Sequence, residues 1–221
     1  MTPFDPVAEF DRQVRTLTGL GYPKLSGLTD DRFTALLEPL RATVPAATAG
    51  ADRDPEAGRV PFVLVVTREL APIEETMPRT ALRGGGRPGF VDRSFEPGAL
   101  ERFVATPETN LPDQWAYLLI GVERGEEFCG VVPRDAMATI AERGRSLLTI
   151  EEGIALLTQF PELLVKNRCF SLGGSRSGDR RVPALWISQK APKLGWCWEG
   201  NPHTWLGMAS AAGRRTGDAA A

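Results

Sequence analysis

The chain has 221 residues, of which 42% are hydrophobic and 24% are charged. This composition suits one large globular domain, or one domain with a small appendage. Its formal net charge of −2 provides no general attraction to nucleic acid or to an anionic membrane, so we expect neither as a partner.

The expected compartment follows from three further features of the sequence. The longest apolar runs have the length of a strand, not of a membrane helix. The first residues lack the basic-then-apolar layout of a signal peptide. The three cysteines are scattered along the chain, which argues against a disulfide framework. A soluble, cytoplasmic protein is therefore expected.

Two amphipathic helices are predicted in the N-terminal segment, residues 1–45. Asp5 offers a side-chain acceptor at a helix start, and Pro6 suits the first turn. Apolar residues then recur at three- and four-residue steps, namely Val7, Phe10, Val14 and Leu17. Thr29 is a second helix cap, and the apolar face that follows it comprises Phe33, Leu36, Leu37 and Leu40.

A flexible linker is predicted over residues 46–59, which are rich in Ala, Gly and charge and have no apolar period. Two apolar, β-branched stretches beyond it are predicted strands, Val60–Thr67 and Trp115–Val122. A helix is predicted over Pro133–Arg143, because Gly144 permits a left-handed cap.

The second half of the chain is predicted to combine one more helix with several strands. Thr149 and Glu152 form a capping box at the start of that helix. Three short strands are predicted after it, over Cys169–Ser175, Val182–Gln189 and Leu194–Trp198. Residues 60–208 would form the main domain, and residues 209–221 a disordered tail.

The order of these elements indicates the fold class. Helices cluster at the start and in the middle of the chain and strands at the end, without strict β-α-β alternation. We therefore expect an α+β fold, with N-terminal helices packed with a small mixed or antiparallel sheet.

Two long segments resemble a known family, TIEEGIALLTQFPELL at Thr149–Leu164 and RRVPALWISQKAPKLGWCWEGNPHTWLG at Arg180–Gly207. Over roughly residues 20–210 the sequence resembles an uncharacterised family of actinobacterial proteins, described as a domain of unknown function. The scarcity of lysine beside arginine is typical of a GC-rich genome and agrees with that origin. The resemblance implies no established activity, cofactor or catalytic residue.

The aromatic residues near the C-terminus suggest a binding site. Four of the five tryptophans lie close together beside His203, the only histidine, at positions Trp186, Trp196, Trp198 and Trp205. Because side chains on a strand alternate faces, Trp196 and Trp198 point the same way and Cys197 the opposite way. Indoles on one face can wall a pocket for a planar or cationic ligand. The alternative is that these rings belong to an ordinary core.

Cations interleave with these aromatics, and we predict that Arg180, Arg181 and Lys193 contribute to ligand binding. Aromatics alternating with cations are also typical of platforms for single-stranded nucleic acid, but the overall acidity disfavours that partner. The leading hypothesis is a domain that binds a small molecule or a partner through the Trp186–Trp205 face.

The alternative hypothesis is an enzyme that acts on an anionic substrate and uses Cys197 or His203. A thiol needs a nearby base or a positive field to become a thiolate, and six residues of sequence need not bring these two side chains together. No metal site is expected, because the cysteines lack a C-x₂-C spacing. No cofactor is expected either, because the sequence contains no dinucleotide-binding fingerprint and no P-loop.

Overall fold

The computed structural model describes residues 4–50 and 53–217. Within these ranges the helices fall mostly in the N-terminal and central parts of the chain, and most strands follow them. The predicted α+β fold is confirmed. The helices are α1 (Pro6–Gly19), α2 (Tyr22–Leu25), α3 (Asp30–Ala47), α4 (Ile73–Thr76), α5 (Pro133–Glu142) and α6 (Ile150–Gln159).

The first of two five-stranded sheets is antiparallel. Its strands are β1 (Arg59–Val66), β4 (Ala116–Glu123), β5 (Ser146–Leu147), β11 (Ser210–Ala211) and β12 (Gly213–Arg215). Strand β4 is at the centre, with β1 on one side of it. Strands β11 and β12 pair with the other side of β4, and β5 lies beyond β11.

The second sheet is mixed. Its strands are β2 (Phe90–Val91), β6 (Cys169–Ser171), β8 (Arg181–Ser188), β9 (Ala191–Trp198) and β10 (Leu206–Met208). Their order in the sheet is β10-β6-β8-β9-β2. Strands β8 and β9 form a long antiparallel hairpin, β10 pairs in parallel with β6, and β2 pairs in parallel with β9. A separate antiparallel pair consists of β3 (Val104–Ala105) and β7 (Ser175–Arg176).

The two N-terminal helices form where their caps predict them. The Asp5 carboxylate accepts hydrogen bonds from the backbone N–H groups of Val7 and Ala8, at 3.0 and 3.1 Å, and the Thr29 hydroxyl accepts one from Arg32 N–H. Both helices pack on one face of the first sheet, since their apolar residues share a core with β1 and β4 that includes Phe10, Leu17, Phe33, Leu37, Phe62, Leu64 and Leu118.

Helix α1 also covers the outer edge of β1 through a buried amide. The Gln13 side-chain oxygen accepts a hydrogen bond from Leu64 N–H at 2.7 Å, and its side-chain nitrogen donates to the Phe62 carbonyl at 3.3 Å. Gln159 of α6 donates to the Gln13 carbonyl. An uncovered edge strand would expose its backbone groups, so Gln13 takes the place of a neighbouring strand here.

Helix α6 lies between the two sheets, because it contacts both β1 and β8. The predicted capping box at its start is confirmed. The Thr149 hydroxyl accepts from Glu152 N–H, and the Glu152 carboxylate accepts from Thr149 N–H at 2.8 Å. The core on this side of the first sheet includes Ile150, Ile154, Leu157, Phe170, Leu185 and Leu194.

The expectation of a disordered tail over residues 209–221 is wrong for residues 209–217. Ser210–Ala211 and Gly213–Arg215 form β11 and β12, and Arg214 pairs with Leu119 at the centre of the first sheet. The small, polar composition of this segment does not indicate strands. The segment is held in the sheet by Arg214, whose side-chain partners are distant in the sequence. Residues 218–221 lie outside the described residues.

The other predicted elements differ from the structure in detail. Helix α3 continues to Ala47, so residues 46–47 of the predicted linker are helical, and an Asp54–Arg59 bridge closes the turn at its far end. Residues 51–52 lie outside the described residues. The stretch Cys169–Ser175 divides into β6 and the start of β7. The boundaries at residues 45 and 60 remain a prediction.

Candidate functional site

The β8–β9 hairpin places the predicted aromatic residues on two opposite faces of its sheet. Trp186 pairs with Lys193, whereas Trp196 pairs with Pro183. Cross-strand partners share a face and successive residues alternate, and Trp186 and Pro183 are an odd number of residues apart. Trp186 and Trp196 therefore lie on opposite faces, which corrects the expectation of a single aromatic face.

The first aromatic group comprises Trp186, Trp205 and His203. The Trp186 and Trp205 ring centroids are 6.1 Å apart in an edge-to-face arrangement, and those of His203 and Trp205 are 5.2 Å apart. All three side chains are half-buried. The Trp186 ring lies over Gly195, where a Cβ atom would collide with it. These three residues are called the aromatic cluster below.

The second aromatic group, Trp196 and Trp198, faces the other way. Its ring centroids are 4.9 Å apart. The Arg181 guanidinium lies 5.5 Å from the Trp196 centroid and 5.2 Å from that of Phe103. Trp196 packs against the core, but 47% of Trp198 is exposed. The second group is therefore part core and part surface.

The cations predicted to bind a ligand already have counter-ions. Arg181 pairs with Asp179 at 2.7 Å, and Arg180 with Glu199 at 3.4 Å. The side-chain hydrogen bond from Arg181 lowers the pKa of Asp179 to about 2. Lys193 pairs with a further carboxylate, that of Asp92. An anionic ligand would have to displace these partners, so the structure provides no ready anion site there.

Cys197 lies on the face opposite Trp196 and is protonated at neutral pH. Burial alone raises the pKa of its thiol to about 11. A nucleophilic cysteine needs the reverse shift, from an adjacent base or positive charge. The geometry therefore gives no support to a thiolate enzyme at Cys197.

Cys197 is expected to alkylate slowly at pH 7 and faster as the pH approaches 11. With a pKa of about 11, only about one thiol in 10⁴ is ionised at pH 7, compared with a few per cent for an unperturbed cysteine. The rate can be measured by iodoacetamide labelling and peptide mass spectrometry, with free cysteine as the reference. Labelling of Cys197 at the reference rate at pH 7 would contradict this environment.

A concave site lies elsewhere, at the end of the first sheet where β1 ends and β4 begins. It is a cleft of about 460 Å³, within the size range of small-molecule pockets. The segment after β1, the segment before β4 together with β4 itself, β3 with the residues before it, and the first turn of α6 all contribute to it. Its lining residues include Thr67, Arg68, Glu69, Glu101, Val104, Leu111, Pro112, Asp113, Tyr117 and Glu151. This site is called the cleft below.

The cleft combines apolar walls with an excess of negative charge. Four carboxylates line it, beside one guanidinium, that of Arg68. Arg68 is committed to Glu151 and to the carbonyl groups of Leu100 and Phe103. In the described ranges the other three carboxylates form no ion pair, and all three are exposed, namely Glu69, Glu101 and Asp113. The Thr67 hydroxyl, also in the lining, is buried without a hydrogen-bond partner.

A buried ion pair supports the inner wall of the cleft. Tyr117 lines the cleft, and its hydroxyl donates to Glu152 at 2.9 Å. Glu152 is fully buried, and both its oxygens accept hydrogen bonds from Arg214 of β12, at 2.6 and 2.8 Å. Burial, together with the Glu152 charge, raises the pKa of Tyr117 well above its usual value, so its hydroxyl stays protonated.

Sequence reasoning missed the cleft because its residues come from four separated parts of the chain, 67–69, 101–105, 111–117 and 151. The available signal was weak. Thr67 ends one predicted strand and Asp113 precedes the next, but neither shows that the two ends meet. That meeting depends on the antiparallel pairing of β1 with β4, in which Val66 lies opposite Ala116.

Two further features are absent from the described part of the chain. No group of three or more His, Cys, Asp or Glu residues is arranged to hold a metal ion. In the same residues, none of the helices combines the length and the apolar character needed to span a bilayer.

Comparison with known proteins gives a family but no activity. No curated protein and no solved structure matches the chain. The sequence profile described as Family of unknown function (DUF5701) matches residues 16–217, which agrees with the resemblance found in the sequence and covers most of the chain. The chain therefore belongs to this family, DUF5701.

Proposed function

We propose that the protein binds a small organic cation with an apolar body in the cleft. The observation that carries the proposal is a concave cleft of about 460 Å³ whose lining carboxylates outnumber its cations. Concave sites with apolar walls and a few convergent polar groups are the usual form of small-molecule sites.

The charges of the cleft favour a cation over an anion. Glu69, Glu101 and Asp113 lack counter-ions among the described residues, and Arg68 is already shared between Glu151 and two carbonyl groups. Because these three carboxylates are exposed, water and salt screen them, and each attraction to a ligand cation contributes about 0.2–1 kcal/mol. The unpaired carboxylates therefore repel an anionic ligand and attract a cationic one.

The walls of the cleft favour an apolar body on the ligand. Val104 is 58% exposed, and Leu111 and Pro112 continue the apolar lining. Covering such surface contributes about 25 cal/mol for each Å² removed from water. In a ligand that joins an ammonium group to a ring or chain, the apolar part would contact these walls and the ammonium group would lie near the exposed carboxylates.

Binding without catalysis fits the groups that line the cleft. The lining contains no cysteine, serine, lysine or histidine, so its remaining bases and nucleophiles are carboxylates and the hydroxyls of Thr67 and Tyr117. Of these groups, Glu151 is already paired with Arg68, and the Tyr117 hydroxyl donates to Glu152. The geometry around Cys197 also gives the enzymatic alternative no support.

Benzylammonium is expected to bind saturably in a calorimetric titration of the whole protein. Benzyl alcohol, which has the same ring without the charge, should bind at least about tenfold more weakly, a difference of about 1.4 kcal/mol. Added salt should weaken the binding of the cation, because the rim carboxylates are exposed. Equal binding of the alcohol, or no binding of the cation, would contradict the proposal.

Two single substitutions test whether benzylammonium binds in the cleft. Glu101→Gln should weaken benzylammonium binding by about two- to fivefold, because it removes one attractive charge. Glu96→Gln is the matched control, since Glu96 is exposed and lies five residues before Glu101 in the sequence but does not line the cleft. If both variants weakened binding equally, a general effect of net charge would be the cause.

The aromatic cluster remains a second candidate site, for a partner or a planar ligand. The observation that favours it is the continuous contact of Trp186, Trp205 and His203, all half-buried. Lys193 adds a cation 5.0 Å from the Trp186 ring centroid. We rank this surface below the cleft, because its cation is paired with Asp92.

A further inference from the structure

Arg68 lies between the cleft and a second cavity. The second cavity has a volume of about 190 Å³ and is lined by Pro72, Ile73, Glu74 and Leu100. Two residues, Arg68 and Glu101, line both spaces. The two cavities are therefore neighbours with a shared wall.

The Arg68 side chain is fixed in that wall from two sides. Its guanidinium pairs with Glu151, in the first turn of α6. It also donates to the Leu100 carbonyl at 3.2 Å and to the Phe103 carbonyl at 2.9 Å, in the segment before β3. Only 26% of the Arg68 side chain is exposed. Because the planar guanidinium satisfies partners in two elements at once, it bridges the gap between them.

We propose that Arg68 is a specificity-determining residue that limits the length of the cation bound in the cleft. This inference rests on the proposed function, and it assigns the ligand to compact cations whose apolar part ends at the Arg68 wall. The second cavity continues the space behind that wall, and Glu74 adds a further carboxylate there.

Arg68 also acts as a resident counter-ion. Its guanidinium occupies the position beside Glu151 where the positive group of a ligand would otherwise be attracted. Replacing it with a neutral, shorter side chain should therefore have two separable effects. Loss of the positive charge strengthens the binding of every cation, whereas loss of the wall strengthens only the binding of long ones.

The test compares butylammonium with octylammonium in calorimetric titrations of the wild type and of Arg68→Met. In the wild type we expect octylammonium to bind at most about threefold more tightly than butylammonium, because its additional methylene groups reach only the open walls of the cleft and end at Arg68. In Arg68→Met we expect octylammonium to gain at least about tenfold over butylammonium, because those groups enter the second cavity. Arg68→Gln should behave in the same way and provides a second neutral variant.

Arg102→Met is the matched control, because it removes the same charge from an exposed neighbour that lines neither cavity. It should keep the wild-type dependence on chain length. Circular dichroism melting establishes that each variant is folded before titration. If the wild type binds neither cation, the proposed function fails. If it binds butylammonium but the two Arg68 variants keep the wild-type length dependence, the role of Arg68 is overturned and the proposed function stands.

Discussion

Arg214→Met is expected to lower the free energy of unfolding by about 3–5 kcal/mol, the cost of breaking a buried ion pair by removing one partner. Arg214 donates to both oxygens of Glu152, to the Thr109 carbonyl at 2.7 Å and to the Ser146 hydroxyl. Without it, the fully buried Glu152 carboxylate loses its ion-pair partner and the two hydrogen bonds that Arg214 donates to it. Urea denaturation followed by circular dichroism measures the change.

Two further variants make that prediction specific. Arg215→Met changes the next residue of β12, which is exposed, and should change stability by less than about 0.5 kcal/mol. The double variant Arg214→Met with Glu152→Gln should be more stable than Arg214→Met alone, because the amide carries no charge. A loss below 1 kcal/mol for Arg214→Met would show that β12 does not depend on this ion pair.

Gln13→Leu is expected to lower the free energy of unfolding by about 2–4 kcal/mol, although the two side chains are similar in size. The substitution leaves Leu64 N–H and the Phe62 carbonyl without the hydrogen bonds that Gln13 supplies. Each buried polar group left unsatisfied costs about 1–3 kcal/mol. Denaturant unfolding curves again provide the measurement.

Arg15→Leu is the control for that variant, because it introduces the same residue at an exposed position of α1. Its effect should stay within about 0.5 kcal/mol. Equal losses for the two variants would mean that leucine in α1 destabilises the protein for some other reason. Amide exchange at Leu64 gives an independent readout, since the edge of β1 should exchange faster in Gln13→Leu alone.

Stability and ligand binding should be linked through the inner wall of the cleft. Tyr117 lines the cleft and donates to Glu152, which Arg214 holds in place. The β12 segment therefore supports the cleft from behind, although it contributes no residue to its lining. This gives the last strand a role in shaping the site as well as in closing the sheet.

The sequence by itself determined the elements whose cause is local. Asp5 and Thr29 begin helices because each side chain reaches an N–H group two or three residues away, and the Thr149–Glu152 capping box works over the same distance. Strands β1 and β4 were predictable from their runs of apolar residues. The α+β class followed from the order of these elements along the chain.

Only the tertiary structure decided which distant residues meet. The hairpin register places Trp186 and Trp196 on opposite faces of the sheet. A shift of one strand by one residue would have moved its tryptophan to the other face. Arg214 meets Glu152 across 62 residues of sequence, so a tail that looks disordered by composition forms part of the core sheet. The cleft exists because β1 and β4 pair with their ends together. Caps and periodicity are set by neighbours within one or two turns, whereas register and long-range ion pairs depend on how the whole chain packs.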